Sequence, residues 1–412
     1  MTKKRQLALI VVCFLAYVAA QTGRYSYSAN VTLIMDKFSV DHATASLPST
    51  LFFFAYGLGQ ILIGAFCCKL HRRLTVAAAL ALSGGVNLAV FLGASFGAIR
   101  ALWLLNGLAQ ACLWPMMMLV VRENVSLERI TLAGIVMSIS STSGKLTGIA
   151  LGALFAIDPA HFTYCFLCAA LLMFCGALLF LGFSAGVQKP APAPAPVPEE
   201  TPAEKPKADK KSVVLLLLLG WFALTCYAVY GGLQSWVPAI LKESYGLSDA
   251  FSIFISILLP LFMISVAFLS PLLYKLLKNY VLMALVCFVC GAALIVGVLL
   301  FLDVHWLPVV VLFTAEAIAM GVVSNMTTVQ VPLRLRGKFD TGFLAGFLGG
   351  ACYVGTALAT YVLGAVADKR GWTGALWLLV GLAAFAALLS LLYLFVDRKQ
   401  NKTNAGTEVS SS

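Results

Sequence analysis

Three charged residues stand where charge is costly. Arg24, Lys145 and Glu316 each lie inside a long apolar run of the sequence. A charge at the centre of a bilayer costs at least about 2.5–3.5 kcal/mol on insertion scales, so such residues face a cavity or a partner. Arg24 has Gln21, Tyr27 and Ser28 at i−3, i+3 and i+4, on one helical face. A planar guanidinium among amide, phenol and hydroxyl groups can hold a carboxylate or a phosphate. The plainer alternative is that it snorkels toward an interface. Lys145 shares a face with Ser138, Ser141, Thr142 and Gly148; it is either a second cation for substrate or a structural partner for Glu316. Glu316 either carries a proton or neutralises a lysine. An unpaired buried carboxyl favours its protonated form, which suits proton coupling, whereas a paired one stays ionised.

Two uncharged stripes extend this set. Asn106, Gln110 and Trp114 fall at i, i+4 and i+8, and Tyr227, Tyr230 and Gln234 at i, i+3 and i+7. Such stripes either line a cavity or simply pack between helices. Gly231-Gly232, followed by Pro238, predicts a weakened helix beside the second stripe, and broken helices are common where transporters bind substrate.

The elements that must position these residues follow from composition. The chain has 412 residues, 61% hydrophobic and only 11% charged, against about 25% charged in soluble domains. That excludes a cytosolic enzyme, a secreted disulfide scaffold and a disordered chain. Twelve apolar runs are long enough to cross a bilayer as helices: 7–34, 44–68, 74–95, 98–121, 131–155, 161–184, 213–241, 248–274, 279–302, 306–332, 341–366 and 372–396. They do not alternate as barrel strands do, so the expected fold class is all-α, an integral membrane protein of twelve helices. Ala16 to Ala20 loosely resembles a signal-peptide cleavage site, but the helical pattern runs on to Ile34 and predicts a retained first helix.

A Pro/Ala tract from Pro190 to Pro198 and mixed charges up to Lys211 read as an extended, solvated linker. The expected organisation is a six-helix bundle over 1–184, a linker over 185–211, a second six-helix bundle over 212–396 and a tail over 397–412. Two near-equal halves are the layout of a duplicated transporter. With both termini in the cytoplasm, 21 of the 28 basic residues fall in cytoplasmic segments and five in outer loops. This asymmetry predicts the orientation, and it accounts for the net charge of +11 without nucleic acid. Cys67, Cys68 and His71 at a helix end predict no metal. The eleven cysteines, almost all in apolar runs, read as small apolar residues rather than disulfides.

The segment Asn106-Gly107-Leu-Ala-Gln110-Ala-Cys-Leu-Trp114-Pro115 resembles the G-x-x-Q-x-x-x-W-P signature of the organophosphate:phosphate antiporters, a family within the major facilitator superfamily. Gly346-Phe347-Leu-Gly349-Gly-Ala-Cys-Tyr353-Val-Gly355 is similar to its G-F-x-G-x-x-x-Y-x-G signature on span 11. Asp368, Gly371-Trp372, Ser235-Trp236-Val-Pro238, Leu241-Lys242-Glu243, Tyr56-Gly57 and Gly64 agree with the same pattern. The resemblance implies two six-helix bundles that rock around a central site and exchange sugar or glycerol phosphates for inorganic phosphate. The family's span 1 arginine matches Arg24. The basic residue often beside it is Tyr25 here, the span 7 arginine falls on Tyr230, the span 2 lysine on Gln60, and the span 5 histidine on Ser143. One of the paired phosphate-binding arginines is therefore absent, and Lys145 can supply that charge only as a point charge.

With all three intramembrane groups ionised the cavity carries +1, which suits a monoanion; with Glu316 protonated it carries +2, which suits a dianion. The expected function is secondary active transport of a small organic anion, a sugar phosphate or a sugar acid, by alternating access. Coupling is by antiport with inorganic phosphate or by proton symport. The expected substrate-binding residues are Arg24, Tyr27, Gln110, Trp114, Lys145, Tyr230 and Gln234, with Glu316 as the coupling residue. The alternative is a transporter-like sensor that binds a sugar phosphate and signals to a partner kinase. With no acidic pair, metal cluster or nucleophile triad in the spans, no enzyme is expected. Nor is a cofactor or a nucleic-acid partner. The expected setting is the plasma or inner membrane, as a multi-pass monomer in the lipid bilayer.

Overall fold

The computed structural model describes residues 2–66, 70–183, 210–331 and 341–410. The Pro/Ala tract, Cys67, Cys68, Lys69, Arg334, Arg336 and Lys338 lie outside the described residues. Within them the chain is all-α. Twelve helices follow in order: α1 (Lys3–Ala29, continued by Val31–Phe38), α2 (His42–Phe66), α3 (Arg72–Phe91), α4 (Phe96–Ala111, continued by Leu113–Asn124), α5 (Leu127–Phe155), α6 (Tyr164–Phe183) and α7 (Lys210–Tyr245). Next come α8 (Asp249–Ser256, Leu258–Phe262 and Val266–Leu277), α9 (Tyr280–Phe301), and α10 (Trp306–Asn325) with a π-helical turn at Met326–Gln330. The stretch Thr341–Ser410 is divided at Gly371, where φ is 67°, into α11 and α12. Only glycine takes that left-handed conformation at little cost.

The helices form two six-helix bundles. In the first, α1 packs on α5 and α6, and α2 on α4; in the second, α7 packs on the α11–α12 stretch and on α10. The first helix is deeply buried through Ala16, Tyr17, Ala19 and Ala20, so the segment that resembled a cleavage site is part of the bundle core. Gly148 lets α5 approach α1: a Cβ there would stand 2.7 Å from the Thr22 carbonyl oxygen.

The helix expected to weaken at Gly231-Gly232 does not break. α7 runs unbroken from Lys210 to Tyr245, past Pro238 as well. The glycine pair serves close packing instead. A Cβ at Gly231 would lie 2.5 Å from Thr356 Oγ1, and one at Gly232 2.6 Å from Ala359 Cβ. The interrupted helices are others. α8 changes to a 3-10 turn at Met263–Ser265, just after Pro260, which lacks the N–H an α-helix needs. α4 breaks at Cys112, three residues before Pro115, whose ring crowds the preceding turn.

Lys3 lies at one end of the molecule, the terminal end. There Arg72 pairs with Glu123 at 2.7 Å, and Arg129 donates to the Lys3 carbonyl at 3.2 Å. His71 caps α3 by accepting from the Leu74 N–H. At the opposite, far end, polar contacts tie the two bundles together. Lys242 on α7 meets Asp36 in the continuation of α1 at 2.9 Å and Asp249 of α8 at 3.0 Å. Thr32 donates to Asp249. His42 on α2 meets Glu243 on α7 and Asp368 on α11.

Candidate substrate-binding site

The core of the first bundle is split into two apolar clusters. One, toward the terminal end, includes Tyr17, Met116 and Phe180; the other, toward the far end, includes Tyr27, Trp103 and Phe166. Between them runs a polar layer with buried Gln21, Thr22, Arg24, Asn106, Gln110 and Ser140. Burying such groups is costly unless they find partners. Some are satisfied within the bundle. Gln110 Nε2 donates to the Ala20 carbonyl at 3.3 Å and to Asn106 Oδ1 at 3.1 Å, tying α4 to α1.

Others face a cavity of about 90 Å³ between the bundles. Its lining brings together Arg24 from α1, Lys145 from α5, and Tyr230 and Gln234 from α7. Gln21, Tyr25, Ser28 and Ser141 join from the first bundle, and Tyr227, Tyr353 and Thr356 from the second. Arg24 is only 6% exposed. Its guanidinium carbon lies 4.0 Å from the centre of the Tyr56 ring, 4.8 Å from that of Phe52 and 5.9 Å from that of Tyr353. These rings hold the guanidinium by cation–π attraction, worth about 0.5–2 kcal/mol per contact, without consuming its N–H donors. The Lys145 ammonium lies 5.2 Å from the Tyr25 ring centre and 5.7 Å from that of Tyr230. Among the described residues, no carboxylate pairs with either cation. Arg24 Nε, Gln234 Nε2 and Gln21 Oε1 are buried without hydrogen-bond partners. The cavity thus gathers two positive charges and two unused N–H donors.

A second cavity of about 540 Å³ lies toward the terminal end, lined among others by Tyr17, Gln60, Trp114, Ser138, Thr328 and Gly346. Ser141, Tyr227 and Tyr353 line both cavities, so these three side chains form the wall between them.

The remaining sequence candidates sit elsewhere. Trp114 lines the larger cavity, with its ring 5.0 Å from that of Tyr17. Tyr27 turns away from Arg24 into the bundle core, where its hydroxyl donates to the Ala45 carbonyl at 2.8 Å and its ring meets Trp103 at 5.1 Å. Gln110 lines neither cavity. Glu316 is fully buried on α10 inside the second bundle, with both carboxyl oxygens unpartnered. It lies within electrostatic range of Cys226 and Tyr230 on α7, and it is not paired with Lys145.

Sequence reasoning missed the rings around Arg24. Tyr56 and Tyr353 come from α2 and α11, and their rings meet at 4.5 Å. The available signal was the small residue near each tyrosine, since Gly57 lets Tyr353 approach: a Cβ there would lie 3.2 Å from Tyr353 Cβ. Glycines of the two signatures also serve packing. A side chain at Gly107 would strike the Phe52 backbone, and one at Gly355 the Leu224 backbone.

Twelve helices in two bundles, with a polar cavity between them, fit a family model for the Major Facilitator Superfamily, which matches residues 13–339. The chain belongs to the Major Facilitator Superfamily. Solved structures of similar fold include a bacterial homologue of the human lysosomal transporter Spinster, inward-facing and occupied. It is 14% identical with a TM-score of 0.77, over 95% of this chain and 97% of that one. The same homologue in an unoccupied form gives a TM-score of 0.78 at 14% identity, over 95% and 98% of the two chains. The nucleoside transporter NupG is 15% identical with a TM-score of 0.71, over 95% and 99%. At such identities the likeness is one of fold. No curated protein matches the chain in sequence. Membership in the Major Facilitator Superfamily makes the chain a multi-pass membrane protein and supports the coarse reading as a secondary transporter of a small molecule.

Proposed function

We propose that this transporter carries a small organic anion, with Arg24 and Lys145 as the charges that hold it. The observation that carries this reading is the pair of cations on one cavity with no carboxylate in its lining. Two uncompensated charges in a low-dielectric site favour an anionic ligand strongly. Arg24 offers a planar fork to a carboxylate or phosphate, Lys145 a point charge, and Gln234 a neutral donor from the other bundle.

Because Glu316 does not line the cavity, the groups facing the ligand sum to +2, which favours a phosphate ester dianion. The resemblance on α4 and α11 to the organophosphate:phosphate antiporters supports the same class, with inorganic phosphate as the exchanged ion. Glu316 favours a second reading, symport of a sugar acid with protons, since its buried carboxyl has no partner. In either case the bodies that move are residues 1–184 and 212–396. The excess of basic residues supports a cytoplasmic terminal end, and on that orientation the larger cavity faces inward.

The test is uptake into proteoliposomes with internal phosphate or an imposed pH gradient, alongside ligand binding by the purified protein. Accumulation of a sugar phosphate against internal phosphate is the expected result. Failure of every anion to bind or to accumulate would overturn the reading. Binding without flux would favour the sensor.

A further inference from the structure

We propose that the far-end contact of His42 with Glu243 and Asp368 is a proton-binding latch, closed when it holds one proton more than its open form. The argument starts from the ring. His42 Nδ1 lies 2.6 Å from Asp368 Oδ1, and Nε2 lies 2.8 Å from Glu243 Oε1. An ionised carboxylate only accepts hydrogen bonds, and a neutral imidazole has one donor and one acceptor nitrogen. Two nitrogens on two carboxylates therefore need two protons, one more than a neutral ring supplies.

The surroundings assign that proton to the ring. Asp368 also accepts from the backbone N–H groups of His42 and Ala43, at 3.0 and 2.9 Å, so it caps α2 from the opposite bundle. Glu243 Oε2 accepts from Trp372 Nε1 at 2.8 Å. Donors aimed at a carboxylate favour its charged form, which leaves the extra proton on the imidazolium. Trp236 and Trp372 pack on the ring at 5.5 and 5.2 Å and shelter it, leaving its side chain 17% exposed. The titratable groups facing it are Glu243 on α7, Asp368 on α11 and Asp41 on its own turn. Asp41 is engaged with the Thr44 N–H, and neighbouring Lys242 with Asp36 and Asp249.

Opening the far end separates α2 from α7 and α11 and returns His42 to water, where it releases its proton above its ordinary range near pH 6.5. The linkage sign follows. Low pH holds the latch closed, and rising pH favours opening. One linked proton changes the open-to-closed ratio by up to about tenfold per pH unit. This inference concerns the far end alone and does not rest on the anion reading.

The experiment places spin labels at exposed positions 37 and 370, through an encoded keto amino acid that leaves the native cysteines untouched. Distance distributions are measured on the purified protein from pH 5 to 9 without substrate. The expected result is a growing long-distance population as pH rises. His42→Gln is expected to abolish that pH dependence, and Glu243→Gln to move its midpoint to lower pH. A distribution that does not change with pH in the native chain, or the same pH dependence in folded His42→Gln, would overturn the proposal. Glu243→Gln supplies the decisive comparison should His42→Gln not fold: an unmoved midpoint would equally overturn it.

Discussion

The two bundles share one architecture and divide its chemistry unequally. The first contributes both cations of the cavity, Arg24 and Lys145, and its apolar core is split around them. The second keeps one continuous core, built on Phe222, Trp236, Phe288 and Phe313, and offers the cavity only neutral groups. Glu316, a deep charge among its described residues, is buried but does not line the cavity. The difference separates binding from closure. A ligand held by charge on one body can be covered by hydroxyl and amide groups of the other without paying a second large desolvation penalty.

Substitutions can break or sharpen this division. Arg24→Ala removes the fork and is expected to weaken anion binding by at least about 100-fold, consistent with about 2–5 kcal/mol for truncating one side of a buried charged contact. Titration calorimetry with a sugar phosphate measures it. Lys145→Gln keeps most of the length and a polar end and loses the charge. An affinity loss of about 10- to 100-fold is expected, from about 1.5–3 kcal/mol for a charged hydrogen bond. Tyr230→Phe, on the neutral side, should cost about two- to tenfold by the same measurement, in line with a neutral hydrogen bond. If Tyr230→Phe costs more than Lys145→Gln, the division of labour is wrong. Glu316→Gln should change affinity by no more than about twofold, since the carboxyl is outside the lining. Its effect belongs to uptake driven by a pH gradient, which should fall if protons are coupled through this residue and stay unchanged under phosphate exchange.

Much of this was legible from charge in apolar runs. Arg24 and Lys145 stood out because a bilayer core tolerates few ions, and the structure puts both on one cavity. The stripe containing Tyr230 and Gln234 followed helical spacing and also reaches it. Tyr27 shows the limit of spacing: i+3 and i+4 neighbours differ by about 100° around the axis, and Ser28, not Tyr27, lines the cavity beside Arg24. Gly231-Gly232 looked like a weak point because glycine lowers helix propensity. Packing against Thr356 and Ala359 gives it the opposite meaning, and no single-helix pattern contains that information. The aromatic enclosure of Arg24 and the His42 latch join residues on three helices each. Such convergence is set by tertiary packing, which spacing along one chain does not encode.

The central claim is that charge on the first bundle selects an anion. Its most direct test is the melting temperature of the purified protein with graded sugar phosphates, sugar acids and the matching neutral sugars. A ligand at 100 times its dissociation constant stabilises by about 2.7 kcal/mol. The account predicts a rise with one class of anion, none with the neutral sugar, and loss of the rise in Arg24→Ala of unchanged intrinsic stability. An equal rise with the neutral sugar, or an undiminished rise in Arg24→Ala, would contradict it.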